Sequence, residues 1–151
     1  MVRRKRLDDS DCPVARSVDA IGDWWSLLIV RDAFDGSRRF GEFQRSLGVA
    51  KNILTARLRA LVDSGVLASV PASDGSAYRE YVLTSKGEAL FPVIVALRQW
   101  GEQSLFEPGE PHSELVDRRH ERPLRALEVR AADGRRLDPG DTEVHKLPTG
   151  D

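Results

Sequence analysis

Cysteine is almost missing from this chain: Cys12 is the one example in 151 residues, so no internal disulfide framework is available. No stretch approaches the ~20 consecutive apolar residues of a membrane-spanning helix. The basic start Arg3-Arg4-Lys5-Arg6 runs into the acidic Asp8-Asp9-Ser10-Asp11 instead of an apolar segment, so no signal peptide is expected and the protein is expected to be cytoplasmic. Charge of one sign is not in excess either, with 23 cations, 24 carboxylates and a net charge of −1. The three histidines, His112, His120 and His145, follow no ligand spacing. There is no glycine-rich phosphate loop and no G-x-S-x-G elbow, and the carboxylates are scattered. No enzyme activity, no cofactor and no metal are therefore expected.

What is present suits a globular chain: 40% hydrophobic and 31% charged residues. Residues 1–11 are polar and read as a flexible arm. Pro13 sits where a helix can begin, because its missing N–H would be unpaired there anyway. That helix carries Val14, Val18 and Ile21 and stops at Gly22. Asp23 is a good N-cap for a second helix, Trp24 to Phe34, apolar almost all round and therefore central. A short helix, about Phe40 to Leu47, ends at Gly48. Another, about Ala50 to Ser64, places Leu54, Leu58, Leu61 and Val62 on one side. Two helices joined by a short break containing glycine form a helix-turn-helix pattern.

The period then changes to two. Val66, Leu67 and Val70, then Tyr81, Val82 and Leu83, flank the turn pair Asp74-Gly75, which predicts a hairpin, or wing. Thr84 is expected to cap one long last helix to about Phe106, with more apolar residues than its own core needs. The surplus predicts contact with a second subunit. Residues 108–151 are polar, with short strand candidates at 114–116, 126–130 and 142–146, and predict a small β-rich appendage frayed after Pro148. The expected class is mainly α with small β (α+β), with the winged domain at residues 12–107.

Charge distribution is more informative than net charge. Between Gly36 and Gly65 six cations (Arg38, Arg39, Arg45, Lys51, Arg57 and Arg59) face two carboxylates, Glu42 and Asp63, a local net of +4. A basic segment in a neutral chain suits a DNA contact surface and an ordinary solvated face about equally, so charge by itself leaves both open. With Leu54, Leu58 and Leu61 inward, Lys51, Asn52, Thr55, Ala56 and Arg59 lie outward on the half of a recognition helix that enters the major groove. Asn suits adenine, Arg suits guanine, and Ala packs on a thymine methyl. Arg59 serves equally as a base reader or a phosphate contact. Arg38, Arg39 and Arg45 surround the first helix of the pair, and Arg79 in the wing meets a phosphate ahead of the minor groove. The rival is a winged helix that binds protein and never touches DNA.

The ordered set Cys12-Pro13-Val14, Ile21 to Ile29, Arg39-Phe40-Gly41-Glu42-Phe43, Leu54 to Leu61, Ser64-Gly65-Val66-Leu67, Tyr81 to Thr84 with Gly87, and Trp100-Gly101-Glu102 resembles the HxlR-type family of bacterial winged-helix regulators. The resemblance covers residues 12–102. It implies a homodimer, built through the first and last helices, on a pseudo-palindromic operator, with repression as the commoner habit. Val14, Val18, Leu90, Ile94, Leu97 and Trp100 are the expected dimer residues. Some relatives sense oxidants or electrophiles through a cysteine at the position of Cys12. The alternative signal is a small apolar or aromatic effector near Trp24, Trp25 and Phe91. The sequence departs from the family in two places. Val49-Ala50 stand where a polar cap is usual, which costs roughly 0.5–2 kcal/mol of capping and leaves amides free for a phosphate. The tail, at 115–120 and 129–137, resembles two zinc-ribbon knuckles without a cysteine in either, so no structural zinc is expected.

Overall fold

The structure is a computed structural model that describes residues 6–148. Arg3, Arg4 and Lys5 of the basic start, and the end expected to fray, lie outside the described residues. Elements follow in the order α1 (Pro13–Ile21), α2 (Trp24–Phe34), α3 (Phe40–Leu47), α4 (Lys51–Asp63), β1 (Leu67–Pro71), β2 (Arg79–Leu83), α5 (Ser85–Glu88) and α6 (Phe91–Ser104), with a 3₁₀ turn at Pro139–Asp141. No helix among the described residues is long and apolar enough to cross a membrane. The chain divides into two compact units, Met1–Ile94 and Val95–Asp151. The division falls inside α6.

Local chemistry sets the boundaries in the first unit. Pro13 opens α1. The Asp23 carboxylate accepts from the Ser26 amide at 2.9 Å and starts α2. Glu42, at the third position of α3, accepts from the Arg39 amide at 2.9 Å and the Arg38 amide at 3.2 Å, which ties down two donors at the helix start. Gly48 has φ +62 and makes the left-handed turn between α3 and α4 that other residues enter with strain. Residues 6–11, expected as a free arm, touch α1: the Leu7 amide donates to Asp19 Oδ1 at 3.0 Å, and the Arg16 guanidinium donates to the Ser10 carbonyl.

The core of this unit is Ile29 and Val30 of α2, Phe43 of α3, Leu54, Leu58 and Leu61 of α4, and Leu67 of β1, all essentially without exposure. Strands β1 and β2 pair antiparallel, from Leu67 opposite Leu83 to Pro71 opposite Arg79. The Tyr81 amide also donates to the Arg38 carbonyl at 2.6 Å, so the segment before α3 lies along the outer edge of β2.

The single long last helix expected from sequence is two helices. Thr84 caps only α5, its hydroxyl accepting from the Gly87 amide at 3.1 Å. Pro92 explains the break, because it has no N–H for the Glu88 carbonyl and its ring crowds that carbonyl. The chain restarts as α6 at Phe91 and ends at Ser104. The short α5 meets the start of β1 so closely that a Cβ on Gly87 would lie 2.2 Å from the Val66 carbonyl oxygen.

The second unit carries its β structure as isolated antiparallel bridges at the ends of strand candidates 114–116 and 126–130. Its described residues hold only two isolated bridges, Val116 with Pro123 and Arg130 with Arg136, and residues 142–146 form no strand. Too few apolar side chains alternate there to bury a sheet face. Side chains of α6 carry the packing instead. Gln99 donates to the Arg125 carbonyl at 3.1 Å and accepts from the Leu127 amide at 2.8 Å, and Arg98 donates to Ser113. Each knuckle is closed by its own polar pair: Asp117 with His120 at 2.8 Å, and Asp133 with Arg135 at 2.8 Å.

Candidate nucleic-acid interface

Helix α4 separates its residues cleanly. Leu54, Leu58 and Leu61 are buried, while Lys51, Asn52, Thr55, Ala56 and Arg59 are exposed and line one open depression. The five outward positions therefore share one surface. Lys51 and Arg59 form no ion pair among the described residues, and neither does Arg45 on α3. The Thr55 hydroxyl already donates to the Lys51 carbonyl at 2.8 Å, so toward a ligand it offers only acceptor capacity. Ala50 caps α4 with no side-chain bond, and Leu54 is bonded back to the Ala50 carbonyl at 3.1 Å. The first turn of α4, at the positive end of the helix dipole, thus lacks a side-chain cap.

Other cations in the basic segment are engaged within the fold. Arg57, half-buried, stands 3.5 Å from Asp23 and ties α4 to the start of α2. Arg38 reaches Glu80 at 3.1 Å, and Arg39 reaches Asp74 at 2.5 Å with its guanidinium 5.6 Å over the Tyr78 ring. Arg79 lies back on β1, donating to the Ser69 carbonyl at 2.8 Å and its hydroxyl at 3.1 Å. Of the cations read as DNA contacts, three are thus held by the wing. The partners Asp74 and Glu80 were missed in the sequence, where a carboxylate 35 or 42 positions away gives no sign of being a neighbour.

Glu80 is the buried pivot of the wing. Its carboxylate accepts from the Ser73 amide at 2.6 Å and from Arg38. The Ser73 hydrogen bonds first, and the Arg38 charge after them, hold its pKa below the ordinary glutamate value. The lowered folded value means that Glu80 stabilises the fold fully above its unfolded pKa, about 4.3. That contribution fades as pH falls through the lower folded value. Glu80→Gln is expected to melt below the parent at pH 7, with the gap closing as the pH drops below that range. Thermal unfolding followed by circular dichroism over pH 3–7 checks this, and a gap independent of pH overturns it.

The expected dimer and effector residues divide in the same way. Leu90 and Ile94, read as dimer residues, pack against the chain's own core, because the break before α6 turns them inward. Val14 (69% exposed) and Val18 on α1, and Leu97 and Trp100 (60%) on α6, remain exposed. Trp24 is 76% exposed and stacks on the half-buried Trp25 at 6.0 Å, whereas the Phe91 ring meets Phe34 at 5.5 Å. Cys12 is exposed at the start of α1.

The HxlR-like helix-turn-helix family profile matches residues 20–108. The uncharacterised HTH-type transcriptional regulator Rv3095 of Mycobacterium tuberculosis is 44% identical over 102 residues, 68% of this chain and 65% of its own length. The chain thus spans a little under two thirds of that relative. Among solved structures, PA1607, a candidate transcription factor, is 57% identical with a TM-score of 0.89 over 93% of this chain and 99% of its own. The redox regulator HypR in its reduced form is 30% identical with a TM-score of 0.58, over 62% of this chain and 94% of its own.

Proposed function

This chain belongs to the HxlR-like helix-turn-helix family of transcriptional regulators, and on that premise we propose that it binds a pseudo-palindromic DNA operator as a homodimer and represses transcription there. One observation carries the reading: the solvent side of α4 gathers Lys51, Asn52, Thr55, Ala56 and Arg59 on one surface, with both cations unpaired among the described residues. A helix of this kind lays its N-terminal half along base edges in the major groove. The uncapped first turn, with Arg45 on α3, suits the flanking phosphates. A two-fold site needs two heads. Exposed Val14 on α1 and exposed Leu97 and Trp100 on α6 supply apolar surface for pairing.

The test is fluorescence anisotropy with duplexes from the promoter upstream of the protein's own gene, at two salt concentrations. Affinity that falls steeply with salt is expected, because phosphate contacts release counterions. Absence of salt-dependent binding to any duplex sinks this reading in favour of a protein-binding winged helix.

A second reading concerns the signal and is favoured by the likeness to HypR together with exposed Cys12. Two Cys12 thiols, one from each subunit, lose two protons and two electrons to a peroxide-class oxidant and join in an intersubunit disulfide. Cys12→Ser is expected to keep its DNA under oxidant and to run as a monomer on a non-reducing gel. A Cys12→Ser protein that still releases DNA removes the idea.

A further inference from the structure

The wing and the start of α3 border a groove lined by Arg39, Phe40, Arg45, Tyr78, Arg79 and Tyr81. Three guanidinium groups around one groove repel each other unless an anion joins them. Glu42, also on its wall, is committed to the Arg38 and Arg39 amides. Glu80, close by, is committed to the Ser73 amide and Arg38, whereas Asp74 at the wing tip, beside the groove, pairs with Arg39 at 2.5 Å. Beneath the same guanidinium lies Tyr78, 68% exposed and with its ring centroid 5.6 Å away.

We propose that this groove takes one phosphate of the DNA backbone, and that in the free protein the Asp74 carboxylate occupies that phosphate's place on Arg39. The inference rests on the DNA-binding reading above and adds to it the roles of Asp74 and Tyr78. A guanidinium offers the same fork of donors to a carboxylate and to a phosphate. An ion pair exposed to water is weak, so it yields readily to a phosphate that also meets Arg45 and the part of the Arg79 guanidinium that is not bonded to Ser69. Tyr78 keeps the guanidinium plane in position during the exchange through its ring face. Wing and α3 are thus set for the backbone before DNA arrives, and Asp74 moderates affinity.

Asp74→Asn separates charge from shape. Asp74 Oδ1 accepts from the Ser76 amide at 2.9 Å, and an asparagine oxygen keeps that turn while the charge goes. In the promoter-duplex assay Asp74→Asn is expected to bind about fivefold tighter per head. Its salt slope is expected to steepen by about one unit per head. Arg39→Ala is expected to bind more weakly, and adding Asp74→Asn to it is expected to change nothing. Tyr78→Leu is expected to weaken binding, and Tyr78→Phe to leave it intact. Should Asp74→Asn melt well below the parent, Asp74→Ser, which retains a turn acceptor, takes its place in the same cycle. A folded Asp74 variant that binds no tighter than the parent overturns the proposal while leaving the DNA-binding reading intact. Failure of the parent itself to bind any duplex overturns both.

Discussion

Replacing Lys51 and Arg59 together by alanine is expected to weaken operator binding about a thousandfold, with no loss of thermal stability. Both side chains are exposed on the outward side of α4 and unpaired among the described residues, so nothing in the fold depends on their charge. Alanine is the best helix former, so α4 itself is expected to persist. A reading arginine is worth roughly 1–3 kcal/mol and a phosphate lysine somewhat less, and a dimer with two heads doubles each. The single variants tell the roles apart. Lys51→Ala is expected to weaken all duplexes alike and to reduce the salt slope by about one unit per head. Arg59→Ala does the same if it holds a phosphate, but relaxes preference at one base pair per half-site if it reads guanine. Anisotropy against a panel of single-base variants decides between them. A double variant that binds within about threefold of the parent removes α4 as the reading element.

Gly87→Ala carries the largest expected effect on stability. The added methyl would lie 2.2 Å from the Val66 carbonyl oxygen and 3.0 Å from a Leu83 methyl. The first obstacle is backbone, and it is fixed in place. Thr84 donates its hydroxyl to the Gly65 carbonyl at 2.5 Å and its amide to the Val66 carbonyl at 3.2 Å. Relief therefore requires α5 to move away from the start of β1, which opens the core beneath Leu67. Overpacking of this kind costs about 3 kcal/mol, near 10 °C in the unfolding midpoint for a chain of this size. A midpoint within 2 °C of the parent by circular dichroism contradicts the close approach. Ordinary helix propensity predicts the opposite sign, because alanine in an open helix is favoured over glycine.

Gly87 also marks the limit of what the sequence makes legible. Its place in the motif Tyr81 to Thr84 with Gly87 is readable, but the oxygen it must clear belongs to Val66, 21 positions away. Helices α1 to α4 and the hairpin are legible because their signals are local. Apolar residues recur every three or four positions in Leu54, Leu58 and Leu61, Asp23 caps α2, and Gly48 makes the turn before α4. The helical wheel of α4 then sorts Lys51, Asn52, Thr55, Ala56 and Arg59 outward, and the structure exposes those five together.

Elsewhere tertiary packing decided. Pro92 split the last helix, and Leu90 and Ile94 turned inward onto the core. A count of apolar residues shows a surplus but not its direction. The tail folds on polar pairs such as Asp117 with His120, so alternation overstated its strands. Which arginines are available to DNA is likewise a tertiary matter. Charge counting treats Arg38, Arg39, Arg45, Lys51 and Arg59 alike. Folding brings Glu80 to the first and Asp74 to the second, because the wing crosses back over the start of α3, and it leaves the last three in solvent. By itself the sequence determined a winged helix-turn-helix and the side of α4 that faces outward, since both follow from the period of neighbouring residues. Only the tertiary structure decided which cations remain free, since ion pairing depends on distance in space and not along the chain.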